Sequence, residues 1–262
     1  MDFGIAGRCA LVTGGSLGIG RACAEHLAAE GVDVAIVARD GERATDVAGE
    51  IARAKQAKVV AIAADLSRPE GVARAVAEAV ASLGRIDILI NNAGSAPIGR
   101  LQDLDDATWQ DCFDLKLMGY VRCARAVIPD IRARRWGRVV NIIGRGGHYP
   151  SARYLAGGAI NAALLNITQA LAEECGPDNV LVNGINPGAT ATPRQQTLVA
   201  QKAKLANRTV EEIIAESATN IPLGRIGQPD DVAALATYLC SEPASFINGA
   251  LMEVDGGASR TL

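Results

Sequence analysis

The stretch of sequence that decides the fold is Thr13-Gly14-Gly15-Ser16-Leu17-Gly18-Ile19-Gly20. It follows an apolar run of strand length, Cys9–Thr13, and leads into a helical pattern that begins at about Gly18. Glycines let such a loop turn tightly and bring backbone amides close to a pyrophosphate, and the helix N-terminus adds unpaired N–H groups and a positive dipole end. Because strand, loop and helix come in the required order, the stretch predicts a nucleotide-binding turn rather than a plain glycine-rich turn.

Apolar runs of strand length alternate with amphipathic helical patterns along the rest of the chain. The predicted strands are Cys9–Thr13, Asp33–Ala38, Val59–Ala63, Ile86–Asn91, Arg138–Ile143, Val180–Ile185 and Leu251–Val254. The clearest predicted helices are Pro69–Leu83, Ala107–Arg134 and Leu155–Glu174. The pattern predicts an α/β fold, a single doubly wound parallel sheet (Rossmann-like, about seven strands) with helices on both faces. Since no linker or second core pattern is visible, residues 1–262 are predicted to form one dinucleotide-binding domain.

The composition excludes several classes of protein. The 26 Lys and Arg residues against 29 Asp and Glu residues give a net charge of −3, which excludes the basic surface of a nucleic-acid binder. No apolar run approaches the ~18 residues that cross a bilayer, and we expect no secretory signal and no membrane partner. The six cysteines lie far apart, without disulfide or zinc-ligand spacing, so we expect buried thiols in a reducing cytoplasm and no metal site.

Further motifs follow the glycine loop in a fixed order. They are Asp65-Leu66, Asn91-Asn92-Ala93-Gly94, Asn186-Pro187-Gly188 with Thr190 and Thr192, Pro222–Gly227, and Val254–Gly257. Together they resemble the short-chain dehydrogenase/reductase family, over about Gly7 to Gly257. The resemblance implies an NAD(P)(H)-dependent oxidoreductase that moves a hydride between nicotinamide and an alcohol or ketone. It places the cofactor on Gly14, Ser16, Leu17, Gly18, Ile19, Gly20, Arg39, Asp65, Leu66, Asn92, Ala93, Gly94, Tyr154, Pro187, Gly188, Thr190 and Thr192.

The end of the second predicted strand bears on the choice of coenzyme. Members of the family that bind NAD tend to carry an acidic residue at the position of Ala38, whereas here Arg39 follows it. A guanidinium can grip a 2′-phosphate in a bidentate manner, which favours NADP(H) over NAD(H). The alternative is that Arg39 stacks on adenine or points to solvent, and both Asp40 and Leu17 count against the preference.

The catalytic residues are where the chain departs from the family. The resemblance implies Asn, Ser, Tyr and Lys, and the matching positions are Lys116, Gly144, Tyr154 and Gly158. A phenol with a reference pKa of about 10 is a poor base without a nearby positive charge. Our hypothesis is that Lys116 sends its ammonium into the space vacated at Gly158, where it assists Tyr154 and contacts the ribose. The alternative is a snorkelling or ion-paired helix lysine, with Asp111 or Asp114 nearby in sequence.

The substrate is less well defined than the cofactor. Candidates for the role of the missing serine are the amides of 144–147 and the side chains of Arg145, His148 and Ser151. Arg145 and Arg153 either recognise an acidic substrate or are surface charges. The resemblance implies a substrate lid at about 192–220 and a homotetramer or homodimer. Two other readings stay open: a nucleotide-binding regulatory or structural subunit with lost redox activity, and a non-redox enzyme on this fold.

Overall fold

The computed structural model, which describes residues 2–259, contains a parallel sheet in the order β3-β2-β1-β4-β5-β6-β7. The strands are β1 (Cys9–Thr13), β2 (Asp33–Ala38), β3 (Val59–Ala63), β4 (Ile88–Asn91), β5 (Gly137–Ile142), β6 (Val180–Pro187) and β7 (Leu251–Val254). The chain moves outward from β1 to β3 and then returns to place β4 on the other side of β1. Open parallel sheets bind ligands at such a switch point, beyond the carboxyl ends of the strands.

Helices cover both faces of this sheet. They are α1 (Gly18–Ala29), α2 (Gly41–Lys55), α3 (Pro69–Leu83), α4 (Asp106–Cys112), α5 (Gly119–Ala133), α6 (Leu155–Cys175), α7 (Pro193–Ala206), α8 (Val210–Thr219) and α9 (Pro229–Leu239). Buried residues of α1, α2 and α9 form one apolar layer, and those of α3, α5 and the end of α6 form the other. The predicted doubly wound α/β fold is therefore confirmed.

The predicted elements differ from the observed ones mainly at their ends. Four strands and the helix Pro69–Leu83 have the predicted bounds. β4 begins two residues later than predicted because Asp87 precedes the strand, and its carboxylate accepts from the amide of Cys9 at 3.1 Å and from Arg85 at 2.8 Å. The predicted helix 107–134 is divided by a π-helical turn, Phe113–Met118, between α4 and α5. This turn carries Lys116, and a regular helical pattern could not predict it.

One helix corrects the expectation that no apolar segment is long enough to cross a bilayer. Leu155–Asp178 has the length and hydropathy of a membrane-spanning helix. However, α6 packs against β6 and its residues Ile160 and Leu164 are almost wholly buried. A helix with these contacts is the core helix of a layered domain, and its apolar character follows from burial between the sheet and neighbouring helices.

The cysteines are free and buried, as predicted. Burial raises the pKa of Cys23 to about 12 and of Cys123 to about 12. Thiols with raised pKa values stay protonated and are poor nucleophiles at neutral pH. We therefore assign these residues to packing.

Candidate active site

Close backbone approach shapes the glycine loop between β1 and α1. A Cβ on Gly14 would lie 2.8 Å from Nδ2 of Asn92, and a Cβ on Gly20 would lie 2.3 Å from the carbonyl oxygen of Gly14. Gly14 and Gly18 also have φ angles of +66° and +53°, in the left-handed region that favours glycine. The loop backbone is thus held tightly against the sheet edge, as the sequence predicted.

The start of α1 fits the pyrophosphate of a dinucleotide. Its N-cap residue, Leu17, has no side-chain oxygen that could cap the helix, and the first turn carries no acidic residue. By contrast, the side chains of Asp40 and Thr192 cap α2 and α7. Among residues 2–259, therefore, no side-chain cap is found at the start of α1, and its first turn has no carboxylate that would compete with a bound anion, which leaves this end suited to an anion.

Asn92 ties the end of β4 to the end of β1. Its Nδ2 donates to the carbonyl oxygens of Thr13 at 3.0 Å and Gly14 at 3.2 Å. The hydroxyl of Thr13 in turn accepts from the amides of Asn92 at 2.8 Å and Ala93 at 3.1 Å. In this structure the Asn92 side chain holds the glycine loop in place, and motif matching could not separate that role from direct contact with a cofactor.

Arg39 and Asp65 lie near each other beyond the ends of β2 and β3. Burial would raise the pKa of Asp65, but hydrogen bonds from Ser67 and the charge of Arg39 are among the effects that lower it overall. Asp40 accepts from the amide of Arg43 at 3.1 Å and pairs with its guanidinium at 2.9 Å. The Asp40 charge, which counted against NADP(H) in the sequence, is thus partly neutralised by α2.

The turn after β6 lies against the glycine loop. A Cβ on Gly18 would come within 2.9 Å of Cγ2 of Thr192, and Thr190 is buried with its hydroxyl 3.2 Å from the carbonyl oxygen of Gly188. The structure therefore brings the predicted residues 187–192 and 14–20 to one edge of the sheet. The side chain of Leu66 is buried in one apolar layer, and the partly buried side chain of Ile19 packs against the other.

Lys116 is buried beneath the loop that follows β4. Its aliphatic chain passes under Gly94, where a Cβ would lie 2.7 Å from Cδ of the lysine. Its Nζ donates to the carbonyl oxygen of Ile143 and, at 2.8 Å, to Oδ1 of Asn161. Within residues 2–259 no carboxylate pairs with it, and Asp114 pairs with Arg122 at 3.1 Å. The ion-paired or snorkelling alternative is therefore not what the structure contains; π-helical turns such as this are frequent at functional sites.

The amine of Lys116 lies deeper than the sequence hypothesis placed it. Asn161 is three residues beyond Gly158 on α6, and Ile143 directly precedes Gly144. A Cβ on Gly158 would meet only the carbonyl oxygen of Gly146, at 3.2 Å, so the space beside Gly158 is not filled by the lysine. In the part of the chain described, no hydrogen bond joins Lys116 to Tyr154. The amine of Lys116 thus approaches Gly144 and Gly158, the positions of the family serine and lysine, from the interior of the protein.

Burial changes the proton affinity of this amine. Desolvation, and then the positive charge of Arg194, lower the pKa of Lys116 from 10.5 to about 7. Removal of an ammonium from water disfavours its charged form, and a second cation adds to that effect. Both protonation states of Lys116 are therefore populated near neutral pH.

The lowered pKa of Lys116 predicts how stability changes with pH. Between about pH 7 and 10.5 the unfolded chain holds a proton at Lys116 that the folded chain has released. The free energy of unfolding should therefore rise as the pH rises above 7, by up to about 1.4 kcal/mol per pH unit from this group. Urea titrations of the wild-type protein and Lys116→Met between about pH 7 and 8 check this, because the six thiols that begin to ionise in the unfolded chain are common to both proteins. Equal slopes in the two proteins would contradict it.

Two glycines form a slot for the ring of Tyr154. A Cβ on Gly157 would lie 2.1 Å from Cζ of the ring, and a Cβ on Gly146 would lie 3.1 Å from Cδ1. The half-buried ring packs against the apolar cluster that contains Tyr120. Burial, with smaller contributions from Cys123 and Tyr154, raises the pKa of Tyr120 well above its usual value, and its hydroxyl donates to a backbone carbonyl at 2.8 Å. Tyr154 is thus the more accessible phenol of the two.

The position of the missing serine has a glycine conformation. Gly144 has a φ angle of +118°, and a Cβ there would lie 3.1 Å from Nδ2 of Asn161. The loop after it packs closely on α6, where a Cβ on Gly147 would lie 2.7 Å from Leu165. Of the candidates for the serine role, His148 is bound through Nδ1 to Glu253 at 3.0 Å. The carboxylate thus fixes the orientation of the imidazole.

Sequence reasoning missed two residues of this region. Asn161 had a usable signal, because it is a polar residue on the buried face of α6, seven residues or two turns after Tyr154. Arg194 had none, because the lid segment contains several basic and polar residues and only the fold shows which of them faces inward.

Comparisons with known proteins agree with this geometry. Residues 14–259 match the family described as enoyl-(acyl carrier protein) reductase. The chain belongs to the short-chain dehydrogenase/reductase family, and it is an oxidoreductase of that family. The predicted family, reaction class and enzyme assignment are confirmed, and the comparisons give no support to a protein without redox activity.

Three relatives illustrate the match. The 3-oxoacyl-(acyl-carrier-protein) reductase FabG of Aquifex aeolicus is 35% identical over 98% of this chain and 99% of that protein. The NADPH-dependent reductase BacG of Bacillus subtilis is 31% identical over 97% of this chain and 99% of that protein. The crystal structure of L-sorbose reductase from Gluconobacter frateurii, complexed with NADPH and L-sorbose, is 35% identical with a TM-score of 0.94 over 100% of both chains.

Proposed function

We propose that this chain is an NADP(H)-dependent enzyme that interconverts a small carbonyl compound and its alcohol, with Tyr154 as the acid/base and Lys116 as its supporting charge. The observation that carries the proposal is the buried Lys116 amine, which binds the carbonyl oxygen of Ile143, the residue before Gly144, and Asn161, three residues after Gly158 on α6. Burial of a lysine amine has an unfavourable free energy, which indicates that the residue has a functional role. The NADPH-dependent relatives support the coenzyme.

Different residues of the chain have different roles in the proposed reaction. The bound nicotinamide supplies or accepts the hydride. The uncapped start of α1 and the glycine loop hold the pyrophosphate, and Arg39 holds the 2′-phosphate. Tyr154 gives its hydroxyl proton to the substrate oxygen in reduction and takes one from it in oxidation. Protonated Lys116 supplies a positive charge to this region, and Asn161 fixes the position of the amine.

The wider setting follows the resemblance. We propose that α7 and α8, which occupy 193–206 and 210–219, form the substrate lid. The helices α4 to α6 match those that pair subunits in the family, so we propose a homotetramer or homodimer that acts in the cytoplasm. The buried free thiols agree with a reducing compartment.

Arg39 gives a direct prediction about the coenzyme. Arg39→Ala should weaken NADPH binding by roughly 10- to 100-fold and leave NADH binding unchanged, because only NADPH carries the 2′-phosphate. Fluorescence titration of both coenzymes measures this. Arg53→Ala, an exposed arginine on α2, is the matched control. Equal loss for the two coenzymes would assign Arg39 to adenine stacking, and no loss would place it outside the site.

The function itself is tested by coenzyme turnover. The protein is first shown to bind NADPH, and is then mixed with a panel of ketones, aldehydes and oxo acids while nicotinamide absorbance is followed. We expect oxidation of NADPH with at least one carbonyl compound. Tight coenzyme binding without turnover on the whole panel would favour the regulatory or structural subunit instead.

A further inference from the structure

Arg194 connects the proposed lid to the loop that follows β4. It lies in the first turn of α7, and its guanidinium donates to the hydroxyl of Ser95 and, at 2.9 Å, to the carbonyl oxygen of Ala96. Ala96 belongs to the apolar cluster against which Tyr154 packs. Through this contact the guanidinium borders the apolar cluster against which Tyr154 packs, and its charge acts on Lys116.

The charge of Arg194 is not neutralised by the protein. Among residues 2–259 no carboxylate lies within ion-pair distance of it, although the other half-buried arginine of this region, Arg122, pairs with Asp114. Its positive charge interacts with that of Lys116 and adds to the effect of burial in lowering the pKa of Lys116. The buried amine of Lys116 and the guanidinium of Arg194 are thus two interacting basic groups without an acidic partner among the described residues.

An unpaired guanidinium that is partly withdrawn from water gains most from an anion. Burial of a charge is unfavourable unless it is paired, and the planar fork of arginine matches the two oxygens of a carboxylate. Ser95 and Ala96 each accept a hydrogen bond from the Arg194 guanidinium, so the guanidinium is held in place before a ligand binds. A group held in this way loses little conformational entropy on binding.

We propose that Arg194 binds a carboxylate of the substrate, so that the preferred substrates are oxo acids and their hydroxy acids. This inference rests on the proposed function and specifies its substrate class. A competing source of the same anionic chemistry is the coenzyme pyrophosphate, because Thr192, two residues before Arg194, lies against Gly18. The contact with Ala96 favours the substrate, and the experiment separates the two sources.

The test measures binding without turnover. The complex of the protein with NADP⁺ is titrated by calorimetry with pyruvate, acetoacetate and levulinate, and with the methyl ester of each. An oxidised coenzyme and a carbonyl compound cannot exchange a hydride, so the titration reports affinity alone. We expect at least one carboxylate to bind about tenfold or more tightly than its ester, in line with a charge-assisted hydrogen bond.

Variants assign that preference to one side chain. Arg194→Met should abolish the difference between acid and ester, and Arg194→Lys, which keeps the charge but loses the fork, should retain part of it. Arg53→Met, at an exposed residue of α2 outside the site, should behave as the wild-type protein. NADP⁺ affinity should stay within about twofold in all of them.

The inference is wrong if the wild-type complex binds no acid more tightly than its ester, or if that preference survives in Arg194→Met. It is also wrong if Arg194→Met loses much of its NADP⁺ affinity, because that loss would assign Arg194 to the pyrophosphate. Thermal unfolding of each variant shows that the comparison is made between folded proteins. Turnover is assayed separately, so a protein that binds oxo acids but reduces none would count against the proposed function and not against the Arg194 site.

Discussion

Tyr154→Phe is expected to lower kcat by about 10³-fold while coenzyme affinity stays within about twofold, because the phenol transfers a proton and the aromatic ring remains in its slot. The ring is positioned by Gly146 and Gly157, which a phenylalanine contacts equally well. Nicotinamide absorbance with the best substrate of the carbonyl panel gives the rate, and fluorescence gives the affinity.

The control for this substitution is Tyr238→Phe, on α9, where the ring packs edge-on against Phe3 away from the cleft. It should retain wild-type kcat. A Tyr154→Phe protein with more than about a tenth of wild-type kcat would mean that another group moves the proton. In that case His148, which Glu253 orients, would be the next candidate.

Lys116→Met is expected to lower kcat by about 10²-fold at about pH 6 and by much less at about pH 8. The reason is that Lys116, with its pKa of about 7, carries its charge at the lower pH and loses much of it at the higher pH. Methionine fills a similar volume and keeps the packing beneath Gly94. Initial rates at saturating coenzyme and substrate measure the effect.

Two further variants separate charge from packing at this position. Lys55→Met, at an exposed lysine of α2, should leave kcat unchanged at both pH values. Asn161→Leu removes one hydrogen-bond partner of the amine but not the amine itself, and should give a smaller loss than Lys116→Met. Loss of the same size at both pH values in Lys116→Met would indicate a purely structural role.

The fold was predictable because its signals are local. Short apolar runs bounded by glycine and polar residues define β1, β2, β3 and β7, and the glycine loop follows the first of them. The alternation of strands with helices then predicts right-handed crossovers and a parallel sheet covered on both faces. Strand ends were less predictable because they depend on pairing with a distant strand, as where Asn186 and Pro187 extend β6 alongside β7.

The candidate site was only partly predictable because it also depends on contacts between residues that are distant in the chain. The sequence located Lys116 at a family position and associated it with the loss at Gly158. It did not predict the π-helical turn, which sets the direction of the side chain, or the contact with Asn161, which fixes the amine. The position of the Arg194 side chain was also not predictable, because its contact with Ala96 joins residues 98 positions apart in the chain.

The most direct test of the account is the pH dependence of kcat for the wild-type protein and Lys116→Met between about pH 6 and 8. We predict that wild-type kcat falls as the pH rises through about 7, as Lys116 loses its proton, and that this step is absent from the variant. A step that persists in the variant would be caused by a group other than Lys116. Superimposable profiles, or a wild-type rate that does not change across pH 7, would contradict the proposal that the buried lysine supports Tyr154.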